Sequence, residues 1–184
     1  MALNLFLVTG VSGSGKTTFC RDMIQAAQRA AWHVAGLLSL PDFIGSEKSC
    51  IRAQDLRTGE KRLLASVQRQ AENDLLFGKW FFRRNTLDWG NEVLRASIPC
   101  DLLVVDELGP LELKLSQGWT NALDVIRTGQ FRLALVVFRP ELVEMVQPIL
   151  NFCQVITLNK VNEVAEKVLQ YSTLFDRFHN PSKQ

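Results

Sequence analysis

The stretch Thr9–Thr18, TGVSGSGKTT, follows a short apolar run and precedes a segment whose apolar residues have helical spacing. Gly10, four intervening residues, and then Gly15, Lys16 and Thr17 match the pattern G-x-x-x-x-G-K-S/T. Glycines let the backbone adopt positive φ and approach a phosphate closely, and the N-terminus of the following helix favours negative charge. The stretch therefore predicts a strand, a phosphate-binding loop and a helix, in that order.

The residues of this predicted phosphate-binding loop (the P-loop) have distinct expected roles. Lys16 is expected to contact the β and γ phosphates and to act in catalysis, and the Thr17 hydroxyl is expected to bind Mg²⁺. The alternative is a glycine-rich turn that merely starts a helix, and the flanking strand and helix patterns argue against it. The residues predicted to bind the nucleotide are Gly10, Val11, Ser12, Gly13, Ser14, Gly15, Lys16, Thr17 and Thr18.

A second motif follows another apolar run, within CDLLVVDELGPLEL at residues 100–113. Leu102–Val105 is typical of a buried parallel strand, so Asp106 should emerge at the carboxyl edge of the sheet, where α/β proteins bind ligands. There Asp106 is expected to support Mg²⁺ through its water shell. Glu107, ionised at neutral pH, is expected to orient or deprotonate the water that attacks the γ phosphate. The alternative is that both carboxylates only begin a solvated loop.

Other charged residues are candidates for the same edge. Arg139 follows the buried strand pattern Phe131–Val137, so it should stand near the phosphates and could act as an arginine finger in cis. The alternative for Arg139 is a residue at a helix start that pairs with Glu141 or with solvent. Glu112 and Lys114 are weaker candidates, which could equally be surface charges.

Strand and helix patterns alternate through most of the 184 residues, which predicts an α/β fold. The turn Arg57–Glu60 lies between two strand patterns and predicts an antiparallel hairpin, so the sheet should be mixed. No linker or repeat divides the chain, and we predict a single domain over residues 1–184. The predicted strands are 4–8, 33–39, 49–55, 61–65, 101–105, 131–137 and 154–158, and the predicted helices are 16–30, 85–96, 119–127 and 161–169.

Composition limits the partners and the location. The 21 basic and 19 acidic residues are interspersed and the net charge is +2, so nucleic acid is possible as a partner but not indicated. The four cysteines are scattered without a C-x-x-C pair, which favours reduced thiols over a zinc site. The apolar opening MALNLFLV is too short for a signal sequence or a membrane span, so we predict a cytoplasmic protein without membrane association. The sequence predicts no oligomeric state.

The two motifs carry a family resemblance. GVSGSGKTT together with VVDELGPLELK is similar to the THEP1-type nucleoside triphosphatases, whose second motif reads D-E-I/L-G-x-M/L-E-L. Residues 34–65 also resemble the early strand hairpin of that family, so the resemblance extends to about Pro140. It implies a three-layer, RecA-like P-loop NTPase fold, with a mostly parallel sheet and an antiparallel hairpin extension. It also implies Mg²⁺ dependence and slow hydrolysis of several nucleoside triphosphates, including ATP and GTP, to diphosphate and phosphate.

By motif match, the resemblance implies phosphate contact for Gly10–Thr17, metal support for Asp106 and water activation for Glu107. The chain departs from the family in two places. Leu38–Asp42 stands where many members have a Glu-x-Arg pattern, and Leu158–Val164 matches the base-proximal segment poorly. We therefore assign no base-reading residue.

Two sequence features could bear on base recognition. Asn159–Asn162 reads NKVN, close to the guanine-reading N-K-x-D motif, but Asn162 replaces the aspartate. An amide offers one acceptor oxygen for the two guanine N–H groups, so we predict no strict guanine preference. The aromatic residues Trp80–Phe82, Trp89 and Trp119 could stack on a base, but core packing is the favoured interpretation for clustered aromatics in so apolar a chain.

Two other functions use the same motifs. A P-loop kinase would transfer the γ phosphate to a nucleotide, nucleoside or polynucleotide, but it needs a lid with clustered arginines, and the arginines of residues 52–84 are dispersed. A non-enzymatic nucleotide-binding adaptor would bind without turnover. Glu107 argues against the adaptor, because a pure binder does not need it.

Overall fold

The computed structural model describes residues 5–150 and 153–177 of the chain. The first residue of the first predicted strand, Asn4, lies outside the described residues. Strands and helices alternate outside residues 34–82, where five strands follow one another without a helix, and short 3-10 turns lie at Pro140–Leu142 and Val161–Glu163. The strands are β1 (Leu5–Thr9), β2 (Val34–Ile44), β3 (Glu47–Asp55), β4 (Lys61–Ser66), β5 (Leu75–Phe77), β6 (Trp80–Phe82), β7 (Cys100–Leu108), β8 (Phe131–Phe138) and β9 (Cys153–Thr157). The helices are α1 (Lys16–Arg29), α2 (Arg84–Ala96), α3 (Pro110–Leu113), α4 (Asn121–Thr128), α5 (Val143–Val146) and α6 (Val164–Arg177).

The strands of the described part form one mixed sheet in the order β5-β6-β4-β3-β2-β7-β8-β1-β9. The strands β2, β7, β8, β1 and β9 run parallel, as buried strands joined by helical crossovers do. The strands β3, β4, β6 and β5 continue the sheet from β2 with antiparallel pairing. This arrangement confirms the α/β fold with an antiparallel extension, which is larger than the single hairpin predicted.

The β2–β3 hairpin is longer than the sequence predicts. The predicted strands are 33–39 and 49–55, yet β2 continues through Pro41 and Asp42 to Ile44, and β3 begins at Glu47. The pairing of β2 with β7 ends at Leu37. Beyond that residue β2 pairs only with β3, and a proline without an N–H group is tolerated in a strand with one free edge.

The apolar side chains of the sheet divide into two cores. Alternate residues of β7 point to opposite faces, so Leu103 and Val105 join the core formed with α2 and α4, while Leu102 and Val104 join the core formed with α1 and α6. Trp89 and Trp119 are buried in the α2 and α4 core, which confirms the packing interpretation for these two aromatics. Trp80 and Phe82 pack against the same core and are partly buried.

One glycine permits the close approach of β2 to β7. Gly36 has a φ of 110°, and a Cβ atom at this position would lie 1.9 Å from the carbonyl oxygen of Val104. Any larger residue would therefore push β2 away from β7, the strand that carries Asp106. Among the residues described, no helix combines the length and the apolar character that crossing a membrane requires.

Candidate active site

The P-loop connects β1 to α1 at the carboxyl edge of the parallel strands. Two of its glycines are required by close packing against the segment that follows β9. A Cβ atom at Gly10 would lie 2.1 Å from the carbonyl oxygen of Leu158, and one at Gly15 would lie 2.7 Å from a methyl group of Val164. Gly13 faces open space but has a φ of 80°, which side chains disfavour. The sequence pattern therefore reflects the backbone geometry of the loop.

Lys16 begins α1 and folds back over the loop. Its ammonium group donates hydrogen bonds to the carbonyl oxygens of Gly10, at 2.7 Å, and Val11, at 3.0 Å. The residue is buried, and the first turn of α1 contains no acidic side chain. The positive N-terminal end of α1 and the charge of Lys16 therefore lie together, and no carboxylate of the first turn neutralises them. This arrangement favours the binding of phosphate.

Asp106 lies near the end of β7 and is almost completely buried, with 2% of its surface exposed. Its carboxylate accepts a hydrogen bond from the backbone N–H of Ser39 at 3.3 Å, and the Thr17 hydroxyl lies near enough to lower the pKa of the carboxyl. The Ser39 hydroxyl also donates to the backbone carbonyl of Asp106. The two residues predicted to hold the metal therefore lie close together, and Ser39 supports one of them.

The ionisation of Asp106 is finely balanced. The pKa of its carboxyl is raised to about 7, chiefly by burial and also by the neighbouring charge of Glu107, although the hydrogen bonds from Thr17 and Ser39 and the charge of Lys16 act to lower it. A nearby cation would favour the ionised form, because an opposite charge stabilises a carboxylate.

The donor chemistry at this point suits Mg²⁺. The Thr17 hydroxyl and the Asp106 carboxylate supply oxygen, the donor that Mg²⁺ prefers, and Mg²⁺ in such sites takes its remaining ligands from water and substrate phosphates. The nearby Ser14 hydroxyl is buried and has no hydrogen-bond partner among the described residues. Across residues 5–150 and 153–177, no group of three or more His, Cys, Asp or Glu side chains could hold a metal ion by itself. The four cysteines are free thiols, of which Cys20 is buried.

Glu107 follows Asp106 and pairs with the arginine at the end of the adjacent strand. Its carboxylate oxygen Oε1 accepts a hydrogen bond from Arg139 Nε at 2.9 Å, and the side chains are 31% and 48% exposed, respectively. Arg139 therefore stands at the predicted edge, but it pairs with Glu107 rather than with Glu141. The sequence predicts both positions and does not predict the contact, which depends on β7 and β8 being neighbours.

The two weaker candidates differ in their surroundings. Lys114 is exposed, as the surface interpretation expects. Glu112 is not a surface charge: its carboxylate is largely buried and accepts hydrogen bonds from the N–H groups of Gly109, at 2.8 Å, and Trp119, at 3.1 Å. The sequence contains a signal for this role, because a glutamate at the third position of a helix commonly accepts the N–H group of the residue just before the helix.

The segment that matches the family poorly lies directly against the P-loop. The Leu158 N–H donates to the carbonyl of Thr9 at 2.8 Å, and Val164 contacts the loop at Gly15. Between them the backbone N–H of Asn159 donates to the Glu163 carboxylate at 3.1 Å. The NKVN segment therefore neighbours the phosphate-binding loop, and its last residue, Asn162, is exposed.

Comparison with known proteins supports the resemblance to THEP1-type nucleoside triphosphatases. The family model described as NTPase matches residues 5–169. The chain is 28% identical to the nucleoside-triphosphatase THEP1 of Caldivirga maquilingensis over 166 residues, which cover 89% of this chain and 92% of that protein. It is 27% identical to the nucleoside-triphosphatase THEP1 of Methanosarcina barkeri over 157 residues, which cover 84% of this chain and 88% of that protein.

Among solved structures, THEP1 from the hyperthermophile Aquifex aeolicus aligns with a TM-score of 0.67 at 16% identity, covering 94% of this chain and 99% of that chain. A human cancer-related nucleoside triphosphatase aligns with a TM-score of 0.64 at 19% identity, covering 94% and 98% of the two chains. At these identities the structural likeness shows the fold, a P-loop NTPase-like α/β fold. Because the family model matches most of its length, the chain belongs to the NTPase family.

Proposed function

We propose that this protein is a Mg²⁺-dependent nucleoside triphosphatase that converts ATP, GTP and related triphosphates to diphosphate and phosphate. The observation that carries the proposal is the end of β7, where the buried Asp106 lies beside Lys16 and Thr17 of the P-loop and is followed by Glu107. This arrangement supports a site in which phosphate binding, metal support and a base act together. The relatives are named nucleoside triphosphatases, which supports the same activity.

Binding depends on the P-loop, Gly10–Thr18. Its backbone N–H groups and the N-terminus of α1 surround the phosphates, and Lys16 exchanges the carbonyls of Gly10 and Val11 for phosphate oxygens. Thr17 and Asp106 would hold Mg²⁺, which would neutralise charge on the phosphates. Since these contacts involve phosphate rather than base, they are compatible with several nucleotides.

Hydrolysis requires a water molecule aligned with the γ phosphorus. Glu107 accepts a proton from this water, and the water oxygen forms a bond to the γ phosphorus. The bond between the γ phosphorus and the oxygen that bridges it to the β phosphorus breaks, so that the diphosphate leaves with the electron pair. Arg139 stabilises the charge on the transferring group as an arginine in cis. Its hydrogen bond to Glu107 keeps both side chains at the same edge.

The remaining proposals concern architecture and location. The resemblance to THEP1-type proteins, together with cores on both faces of the sheet, supports a three-layer RecA-like arrangement. A single domain over residues 1–184 and a cytoplasmic location are further proposals, supported by the absence of a dividing linker and by the scattered, unpaired cysteines.

The test is phosphate release by the purified protein with ATP or GTP, with Mg²⁺ or with a chelator, and with or without candidate acceptors. We expect Mg²⁺-dependent release without any acceptor, and loss of nucleotide affinity in Lys16→Ala. The exposed Lys61→Ala serves as the matched control and should behave as wild type. Turnover that appears only with an acceptor would replace the hydrolase by a kinase, and binding without turnover would replace it by an adaptor.

A further inference from the structure

The carboxylate of Glu112 joins two parts of the chain that are separate in sequence. Its Oε2 accepts the N–H of Gly109, two residues after Glu107, and its Oε1 accepts the N–H of Trp119, just before α4. The short helix α3 lies between these two contacts. Glu112 therefore links the end of β7, which carries the candidate base, to the residues just before α4.

The neighbouring backbone is shaped around this carboxylate. Gly118 has a φ of 75°, and a Cβ atom there would lie 2.0 Å from Glu112 Oε1. The indole of Trp119 is buried in the core, and it packs so closely on Gly90 of α2 that a Cβ atom at Gly90 would lie 2.3 Å from its Nε1. The far end of the connection is thus held by the rigid core between α2 and α4.

The connection requires two acceptor oxygens. In the described part of the chain, no Lys or Arg forms an ion pair with Glu112, so its largely buried charge is stabilised by backbone N–H groups. A glutamine has one acceptor oxygen, and its NH₂ group would face one of the two N–H donors. Replacing Glu112 by Gln therefore breaks one of the two contacts while keeping the shape of the side chain.

We propose that Glu112 is a positioning residue that fixes the end of β7 and Gly109 against the core, so that the Glu107 carboxylate stays aligned with the attacking water. This inference rests on the proposed hydrolysis. It also separates Glu112 from the base role, because both of its carboxylate oxygens are engaged by backbone. Positioning matters at this point, since a misplacement of about 1 Å can cost about a hundredfold in rate.

The chain offers a matched control for a carboxylate that holds a turn. Asp74 is buried and accepts the N–H groups of Gln70 and Ala71, each at 2.8 Å. It lies in the segment before β5, in the antiparallel extension rather than at the end of β7. Asp74→Asn removes the ion pair with Arg83 and can keep both N–H contacts, because they end on the same oxygen. It therefore controls for the loss of a buried carboxylate away from β7 and should leave the alignment of Glu107 unchanged.

The test is a double-mutant cycle between Glu112→Gln and Glu107→Gln, measured by steady-state hydrolysis that gives kcat and KM for each variant. We expect Glu112→Gln alone to lower kcat by about 10- to 100-fold, with KM within about threefold of wild type. In the Glu107→Gln background the same change should cost less than about threefold, because the base through which it acts is gone. Asp74→Asn should leave kcat within about twofold in either background.

An equal loss in both backgrounds, or a raised KM with unchanged kcat, would overturn the role of Glu112. A wild-type protein without hydrolysis would instead reject the proposed function and this role together, so the two failures are distinguishable. If Glu112→Gln does not fold, Gly118→Ala displaces the same carboxylate oxygen and should show the same dependence on Glu107. Faster amide hydrogen exchange at residues 107–109 in Glu112→Gln or Gly118→Ala would support the positioning role of Glu112, and unchanged exchange there would reject it.

Discussion

Replacing Glu107 by glutamine should separate chemistry from binding and from folding. The Glu107 side chain is 31% exposed and its partner Arg139 is 48% exposed, so their ion pair contributes at most about 1 kcal/mol to stability. Glutamine also keeps an oxygen that can accept from Arg139 Nε. We therefore expect the free energy of unfolding to change by less than about 1 kcal/mol. The triphosphate contacts of the P-loop are untouched, so nucleotide affinity should also survive.

The rate, in contrast, should fall steeply. An amide cannot accept the proton of the attacking water, and general-base assistance is worth about 10² to 10⁴ in rate, or about 3 to 5 kcal/mol of barrier. The assay is single-turnover hydrolysis with excess protein, combined with a nucleotide titration and a denaturation curve. Glu92→Gln, an exposed change on α2, is the control. A near wild-type rate would remove Glu107 from the mechanism, and loss of binding would show that it supports the metal site.

Arg139, Gly36 and Asn162 each give a further prediction. Arg139→Ala should lower the single-turnover rate by about 10³-fold or more if the arginine acts as a finger, and a rate within about threefold of wild type would end that role. Gly36→Ala should lower the free energy of unfolding by about 2 kcal/mol or more, because its Cβ would lie 1.9 Å from the Val104 carbonyl oxygen; an unchanged denaturation midpoint would contradict this. Since Asn162 replaces the guanine-reading aspartate, kcat/KM for GTP should exceed that for ATP by less than about a hundredfold, or about 2.7 kcal/mol, and a larger ratio in competition kinetics would contradict it.

The sequence predicts those parts of the fold that depend on residues close together in the chain. The P-loop lies within ten consecutive residues, and its strand and helix follow from apolar spacing on either side. Asp106 is predicted at the sheet edge because a continuous apolar run precedes it. Residues 66–83 carried no such signal, since β5 and β6 have only three residues each and are stabilised by pairing with one another and with β4.

The contacts that complete the site depend on distant parts of the chain. Ser39 reaches Asp106 only because β2 pairs with β7 in a register that aligns Leu37 with Val105. Arg139 reaches Glu107 only because β8 lies next to β7. Local sequence patterns do not predict the strand order or the register. The sequence therefore predicts which residues lie at the carboxyl edge of the sheet but not the hydrogen bonds between them.

The central claim is that the P-loop and the end of β7 form one hydrolytic site, and a structure with Mg²⁺ and a non-hydrolysable triphosphate tests it most directly. We predict that Lys16 Nζ leaves the Gly10 carbonyl to contact the β and γ phosphates, that the metal lies between Thr17 and Asp106, and that Glu107 is within one water of the γ phosphorus. A triphosphate bound away from the loop, or a γ phosphate beyond the reach of Glu107 through one water, would contradict the account.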